Sequence, residues 1–147
     1  MAETLGMLCD KLTIVKLKQY HSEDAQRLES LNKQAIQLQI EIDEYVSDAI
    51  CGNIPIDKLI FDANKVFKKE GNETKAVIGN IGEIFSQLAE VNCELWHEVE
   101  KGYDIENVPI EEKDKIVKNL AVLNLQRNNC IDAINHTFQE FVKNKNI

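Results

Sequence analysis

The stretch VNCELWHEVE, residues 91–100, holds a thiol, an indole, an imidazole and three carboxylates within ten positions. Cys93 and His97 stand one helical turn apart, so a helix would present both on one face, where they could supply two ligands to zinc. An earlier stretch, VKLKQYHSED, brings His21 close to Glu23 and Asp24. His97 has Glu94, Glu98 and Glu100 in the same relation. Histidine beside carboxylate in a helical bundle is raw material for a metal site, but a histidine next to an aromatic at a helix end is more commonly a hydrogen-bonded cap. No metal or other cofactor is expected, with Cys93 and His97 as the weak candidates.

Other polar residues fall where apolar ones belong. Arg127, in LNLQRNN, lies on the apolar stripe of the last helix between Asn124 and Asn128. A charge in a core is costly without a partner, which makes an ion pair with Asp10, Asp24 or Glu100 the plain expectation. The alternative is a bidentate grip on a phosphate or carboxylate ligand. His21, Asp24, Trp96, His97, Glu100, Asn124, Arg127 and Asn128 are therefore the candidate ligand-binding residues. The acids of Glu41 to Glu44 form E-x-x-E and those of Glu111 to Asp114 form E-x-x-D. All-helical nucleotide pyrophosphohydrolases use such a pair for magnesium, at much closer spacing. Acids in a first helical turn also favour the helix dipole without any function. There is no G-x-S-x-G, no glycine-rich phosphate loop and no evident Cys-His nucleophile pair.

The elements that must position these residues are helical. Leu28, Leu31, Ala35, Leu38, Ile42, Tyr45 and Ala49 alternate steps of three and four, the stripe of a helix packed lengthwise on another. It stops at CGNIP, where Gly52 can cap and Pro55 cannot continue. Leu5, Leu8, Leu12 and Val15 mark a first helix. Val77, Ile81, Ile84, Leu88, Val91 and Leu95 mark a third long one. Ile116, Leu120, Leu123, Arg127, Cys130, Ile134, Phe138 and Phe141 mark the last. A shorter helix is predicted near 57–70, broken at Gly71. A turn at HSEDA would leave Ser22 or Asp24 to cap the following helix.

A recurrence runs through this pattern. Leu5-Gly6 lies over Ile81-Gly82, Leu8 over Ile84, Leu12 over Leu88, Val15 over Val91, Tyr20-His21 over Trp96-His97, and SLNKQ echoes VLNLQ. The chain thus reads as all-α, a single elongated antiparallel four-helix bundle. It comprises one hairpin over about 4–51, a linking helix over about 57–70 and a pseudo-repeated second hairpin over about 73–144.

At 147 residues, 44% hydrophobic and 29% charged, one domain with a real core is expected. A net charge of −8 without a basic cluster argues against nucleic acid and anionic membranes. No apolar run is long enough to span a bilayer, and MAETLGML lacks a secretory pattern. Four dispersed cysteines fit reduced thiols in a cytoplasmic protein.

Three blocks, LGMLCDKLTIVKLK, VNCELWHEVE and LAVLNLQRNNCIDAIN, resemble a bacterial domain-of-unknown-function family of small all-helical proteins. Its pattern is roughly G-E-L-x-D-K-L-T-I-L-x-x-K, then N-x-x-L-W-x-x-E-D, then N-D-x-R-x-x-x-K-x-x-I-N. Asp10, Lys11, Thr13 and Lys18 match the opening, Asn92, Leu95, Trp96 and Glu100 the centre, and Asn128 and Asn135 the close. Met7 and Val99 replace acids of the pattern, and Arg127 precedes the asparagine pair. The resemblance implies a helical protein often encoded beside surface-polysaccharide genes. The expected function is a helical interaction or adaptor protein, a homodimer or a partner-binder, serving envelope-glycan synthesis. The alternative is a phosphate- or metal-dependent small-molecule site between the hairpins.

Overall fold

A computed structural model describes residues 3–61 and 74–145. Four helices carry the architecture: α1 Leu5–His21, α2 Ala25–Ile50, α3 Ile81–Tyr103 and α4 Ile110–Asn144. The chain is an all-α bundle, with no strand among the described residues. No described helix is long and apolar enough to cross a membrane.

Each boundary has a local cause. Thr4 Oγ1 accepts from the Met7 amide at 3.4 Å, satisfying one orphan donor at the start of α1. The break after His21 is short because Asp24 caps α2 through Gln26 N at 3.0 Å. Gly52 takes a φ of 83° just past α2. Gly79, at φ 121°, turns the chain into α3, where the Glu83 carboxylate reaches back to the Asn80 amide at 3.2 Å. Pro109 stands at the N-cap of α4, with Glu111 and Glu112 in the first turn facing the positive end of the dipole.

The linking helix expected over 57–70 does not begin there. Ile56–Lys58 makes one 3-10 turn, and Leu59, 1% exposed, drops its side chain into the core. The chain is not helical from Leu59 to Phe61, and 62–70 lie outside the described residues. Val77, read as part of the third stripe, precedes α3 in a segment without regular structure. On α4, Phe141 is 54% exposed while Val142 is buried. The stripe there continues by steps of four from Ile134 through Phe138 to Val142.

Cross-helix contacts fix the directions. Gly6 meets Asn135 and Asp10 meets Arg127, so α1 and α4 run antiparallel. Asp10 and His21 meet Asn92 and Trp96 respectively, so α1 and α3 run parallel. This is up-down-up-down topology. The arrangement is uneven: α1 packs against all three other helices, whereas α2 packs along α1 and reaches α4 mainly through Tyr45, whose ring lies 6.1 Å from that of Phe138. Leu5, Leu8, Leu88, Cys130, Ile134 and Phe138 form the main core. Val15, Leu31 and Ala35 form a smaller cluster under α2. The gaps on either side of α2 are left open.

Candidate functional site: a buried polar centre and two cavities

Because α1 is surrounded, polar residues just off its apolar stripe are buried. Asp10 is 4% exposed and Thr13 7%. The Asn92 amide donates to Asp10 Oδ1 at 2.9 Å and to Thr13 Oγ1 at 2.7 Å. From α4, Arg127 Nε donates to the same Asp10 Oδ1 at 2.8 Å, and its Nη2 donates to Oδ2. The carboxylate is thus clamped bidentately and also bonded by an amide. This is the geometry that can offset the desolvation of a buried charge. Donation to Asp10 holds the Arg127 guanidinium above its ordinary pKa, against the opposing effect of burial. One turn earlier, the Gly6 amide donates to Asn135 Oδ1 at 2.7 Å. Asn135 is 1% exposed. A side chain at Gly6 would run into the Ile131 carbonyl, so only glycine lets α1 approach α4 this closely.

The open gap between α1, α2 and α4 is a cavity of about 920 Å³. Met7, Ile14, Val15, Leu38 and Ile131 give it an apolar wall, and Lys11, Lys18, Lys33 and Arg127 line it together with the acids Glu3, Asp10 and Glu41. Asn128 belongs to the same wall. Asp10 occupies two of the five guanidinium donors of Arg127. Lys11 pairs with Glu3, and Lys33 lies 3.5 Å from Glu29.

The aromatic-histidine positions meet at the far end of α1. The His21 ring stacks on Trp96 at 4.8 Å between centroids and meets His97 edge-on at 6.2 Å. His21 Nδ1 lies 2.9 Å from the Leu17 carbonyl, which can only accept, so that nitrogen carries the proton. Trp96 Nε1 donates to Glu100 Oε1 at 2.6 Å. The other Glu100 oxygen lies 4.0 Å from His97 Nδ1, and His97 Nε2 lies 3.8 Å from Cys93 Sγ. His97 also helps line a second cavity of about 550 Å³ between α3 and α4.

The eight sequence candidates therefore divide. His21, Trp96, His97 and Glu100 converge. Arg127 and Asn128 belong to the first cavity and its floor. Asp24 is taken up by capping α2, and Asn124 is exposed on α4. The reason is register. His21 lies three turns, about 16 Å, beyond Asp10 on α1, and in an antiparallel pair that moves its α4 neighbour from Arg127 back towards Ile116. Cys93 and His97 face each other, but no three His, Cys, Asp or Glu side chains among the described residues are arranged to hold a metal. Glu111, in the first turn of α4, stands about 24 Å along that helix from Arg127, and so from the cavity that Glu41 lines.

Asp10 was one of three possible partners for Arg127. Thr13, Asn92 and Asn135 were matched only through the family resemblance, and Lys33 carried no signal. No family model matches this chain, and neither does any curated protein or solved structure.

Proposed function

We propose that the chain is a binding protein for a small phosphate- or carboxylate-bearing molecule with an apolar or sugar portion, held in the groove between the two hairpins. One observation carries this reading. In a chain of net charge −8, the cavity of about 920 Å³ gathers four cations, Lys11, Lys18, Lys33 and Arg127, against three acids, Glu3, Asp10 and Glu41, around an apolar wall. Cavities of a few hundred cubic ångströms with a few convergent polar groups are the usual form of small-molecule sites. The buried Asp10–Asn92–Arg127 centre fixes α1, α3 and α4 under the groove, so the site is preorganised. The resemblance to the bacterial helical family favours sugar phosphates and nucleotide-sugars as the class to test, and four free cysteines favour a cytoplasmic setting.

The test is a thermal-shift panel of nucleotides, nucleotide-sugars and sugar phosphates. A ligand at a hundredfold excess over its dissociation constant stabilises by about 2.7 kcal/mol. The paired Lys18→Glu and Lys33→Glu changes should abolish the shift while leaving the unliganded midpoint within about 2 °C, the scale of surface substitutions. A shift that survives the charge reversal, or silence across the panel, overturns the reading.

A second reading is the helical adaptor or homodimer, and α2 favours it. Ile36, Ile40 and Ile50 are 49%, 46% and 48% exposed and share a face about 140° around the helix from the buried stripe. A helix apolar on opposite sides has more to cover than this bundle covers. Sedimentation of wild type and Ile40→Glu decides the homodimer: a monomer at high concentration removes it. The recurrence of Leu-Gly and aromatic-histidine positions fits duplicated scaffold. Gly6 is nonetheless pressed against α4, whereas a side chain at Gly82 would meet nothing.

A further inference from the structure

Most of the charge lining the cavity between α1, α2 and α4 is already matched within the protein. Glu3 pairs with Lys11, and Asp10 is clamped by Arg127. Lys33 lies 3.5 Å from Glu29. Two lining charges are left over, Lys18 and Glu41. Among the described residues Lys18 has no carboxylate within ion-pair distance and Glu41 has no cation. The described bond of Glu41 is to its own helix, where Oε1 accepts from the Gln37 amide at 3.0 Å.

These two side chains stand towards opposite ends of the cavity. α1 and α2 run antiparallel, with Val15 packed against Leu31 and Ala35. Lys18 follows Val15 towards the end of α1, and Glu41 follows Ala35 towards the end of α2, so the two diverge. At 1.5 Å per residue their backbones are about 15 Å apart along the bundle. Ile14 and Leu38 line the stretch between them, and Lys33 stands at the Lys18 end. Lys18 and Glu41 are both half-buried, where charges are screened less than on the open surface.

We propose that the ligand of this cavity is dipolar, with a phosphate or carboxylate beside Lys18, a protonated amine beside Glu41 and an apolar or ring portion between them. The inference rests on the reading of the cavity as a small-molecule site and names the class of molecule that the site prefers. A simple anion satisfies Lys18 and leaves the Glu41 carboxylate without a counter-charge. An ammonium group at the far end supplies that charge. It also brings up to three donors to a carboxylate that can only accept. Lys18 and Glu41 are therefore the residues that set specificity.

The experiment is calorimetric titration of the intact chain at pH 7 and low ionic strength. The probes are hexyl phosphate, 6-aminohexyl phosphate and hexylamine. Glucose 6-phosphate and glucosamine 6-phosphate repeat the comparison on a ring. The amino phosphate is expected to bind about fivefold more tightly than its neutral-ended counterpart, the scale of one partly exposed ion pair. Hexylamine binds more weakly than 6-aminohexyl phosphate. Glu41→Gln brings the ratio to about one without weakening hexyl phosphate, and Lys18→Gln weakens both phosphates. Glu44 is exposed and outside this cavity wall, so Glu44→Gln keeps the ratio. That control separates Glu41 from the general attraction of amines to a chain of net charge −8. Equal affinity for the two phosphates, or a preference unmoved by Glu41→Gln, overturns the dipolar class and leaves the anion site standing. No binding of either phosphate, with no shift from the nucleotides and sugar phosphates, overturns both.

Discussion

Replacing Arg127 with Met tests whether the polar centre is held as described. Arg127→Met keeps an unbranched apolar stem and removes both guanidinium bonds to Asp10. The carboxylate of Asp10, whose side chain is 6% exposed, then keeps the Asn92 amide as its remaining described donor. Removing one partner of a buried ion pair costs about 3–5 kcal/mol. The Arg127 side chain is 31% exposed at the cavity floor, so water can enter as it leaves, and the expected loss falls to about 2–3 kcal/mol. For a chain of this size that is a drop of about 4–12 °C. Asp10→Asn preserves shape and leaves the guanidinium free to turn towards the cavity, at about 1–2 kcal/mol. The double variant should cost less than the sum by about 1 kcal/mol or more, the coupling of groups in one network. Urea unfolding measures all three, with midpoints shifting and the m-value constant. The loss should persist in 1 M salt, where exposed pairs are screened within about 3 Å. A cost below about 0.5 kcal/mol, or strict additivity, would show that Asp10 is not clamped by Arg127.

Two further outcomes follow from packing and burial. Gly6→Ala drives a methyl against the Ile131 carbonyl and to 2.9 Å from Asn135 Oδ1, and should destabilise by about 1–3 kcal/mol. Gly82→Ala, with nothing within 4 Å, should stabilise by about 0.4–1 kcal/mol. Calorimetric midpoints moving in the same direction would contradict the close α1–α4 approach. Stability should fall in alkali. Cys9 deprotonates near 9.0 unfolded but holds its proton to about 12 when folded. Between those values the folded state binds more protons, and the thiol's contribution, complete below pH 9, is lost at up to about 1.4 kcal/mol per pH unit. Burial of Cys130 and Tyr45 acts in the same direction. Unfolding at pH 8, 9.5 and 10.5 should show a shallower slope in Cys9→Ala; an unchanged slope would remove Cys9 as a cause.

How far the sequence could be read depended on how many neighbours each helix has. α2 lies mainly along α1, with Tyr45 reaching Phe138 of α4, so one stripe describes its core contact: Leu31, Ala35, Tyr45 and Ala49 are buried and Leu28, Leu38 and Ile42 partly so. α1 has three neighbours. Leu5, Leu8 and Val15 mark one contact, but Cys9, Asp10 and Thr13, off that stripe, are buried against the others. A polar residue beside an apolar stripe reads as surface unless the helix is known to be central. Arg127 announced itself by standing inside a stripe. Its partner could not be singled out, because choosing Asp10 over Asp24 or Glu100 requires the register of α4 against both α1 and α3.

The same limit explains why the candidates separated. Shared residue types at two helix ends predicted that His21 and Trp96-His97 would be comparable, and parallel α1 and α3 bring them into stacking distance. Nothing local placed Arg127 in relation to them. Its position depends on antiparallel α4 being in register with α1 through Gly6 and Asn135, where backbone meets side chain at 2.7 Å. A glycine that admits one helix to another therefore decides which charges can meet. If Gly6→Ala lifts α1 from α4, the Asp10–Arg127 clamp should weaken with it.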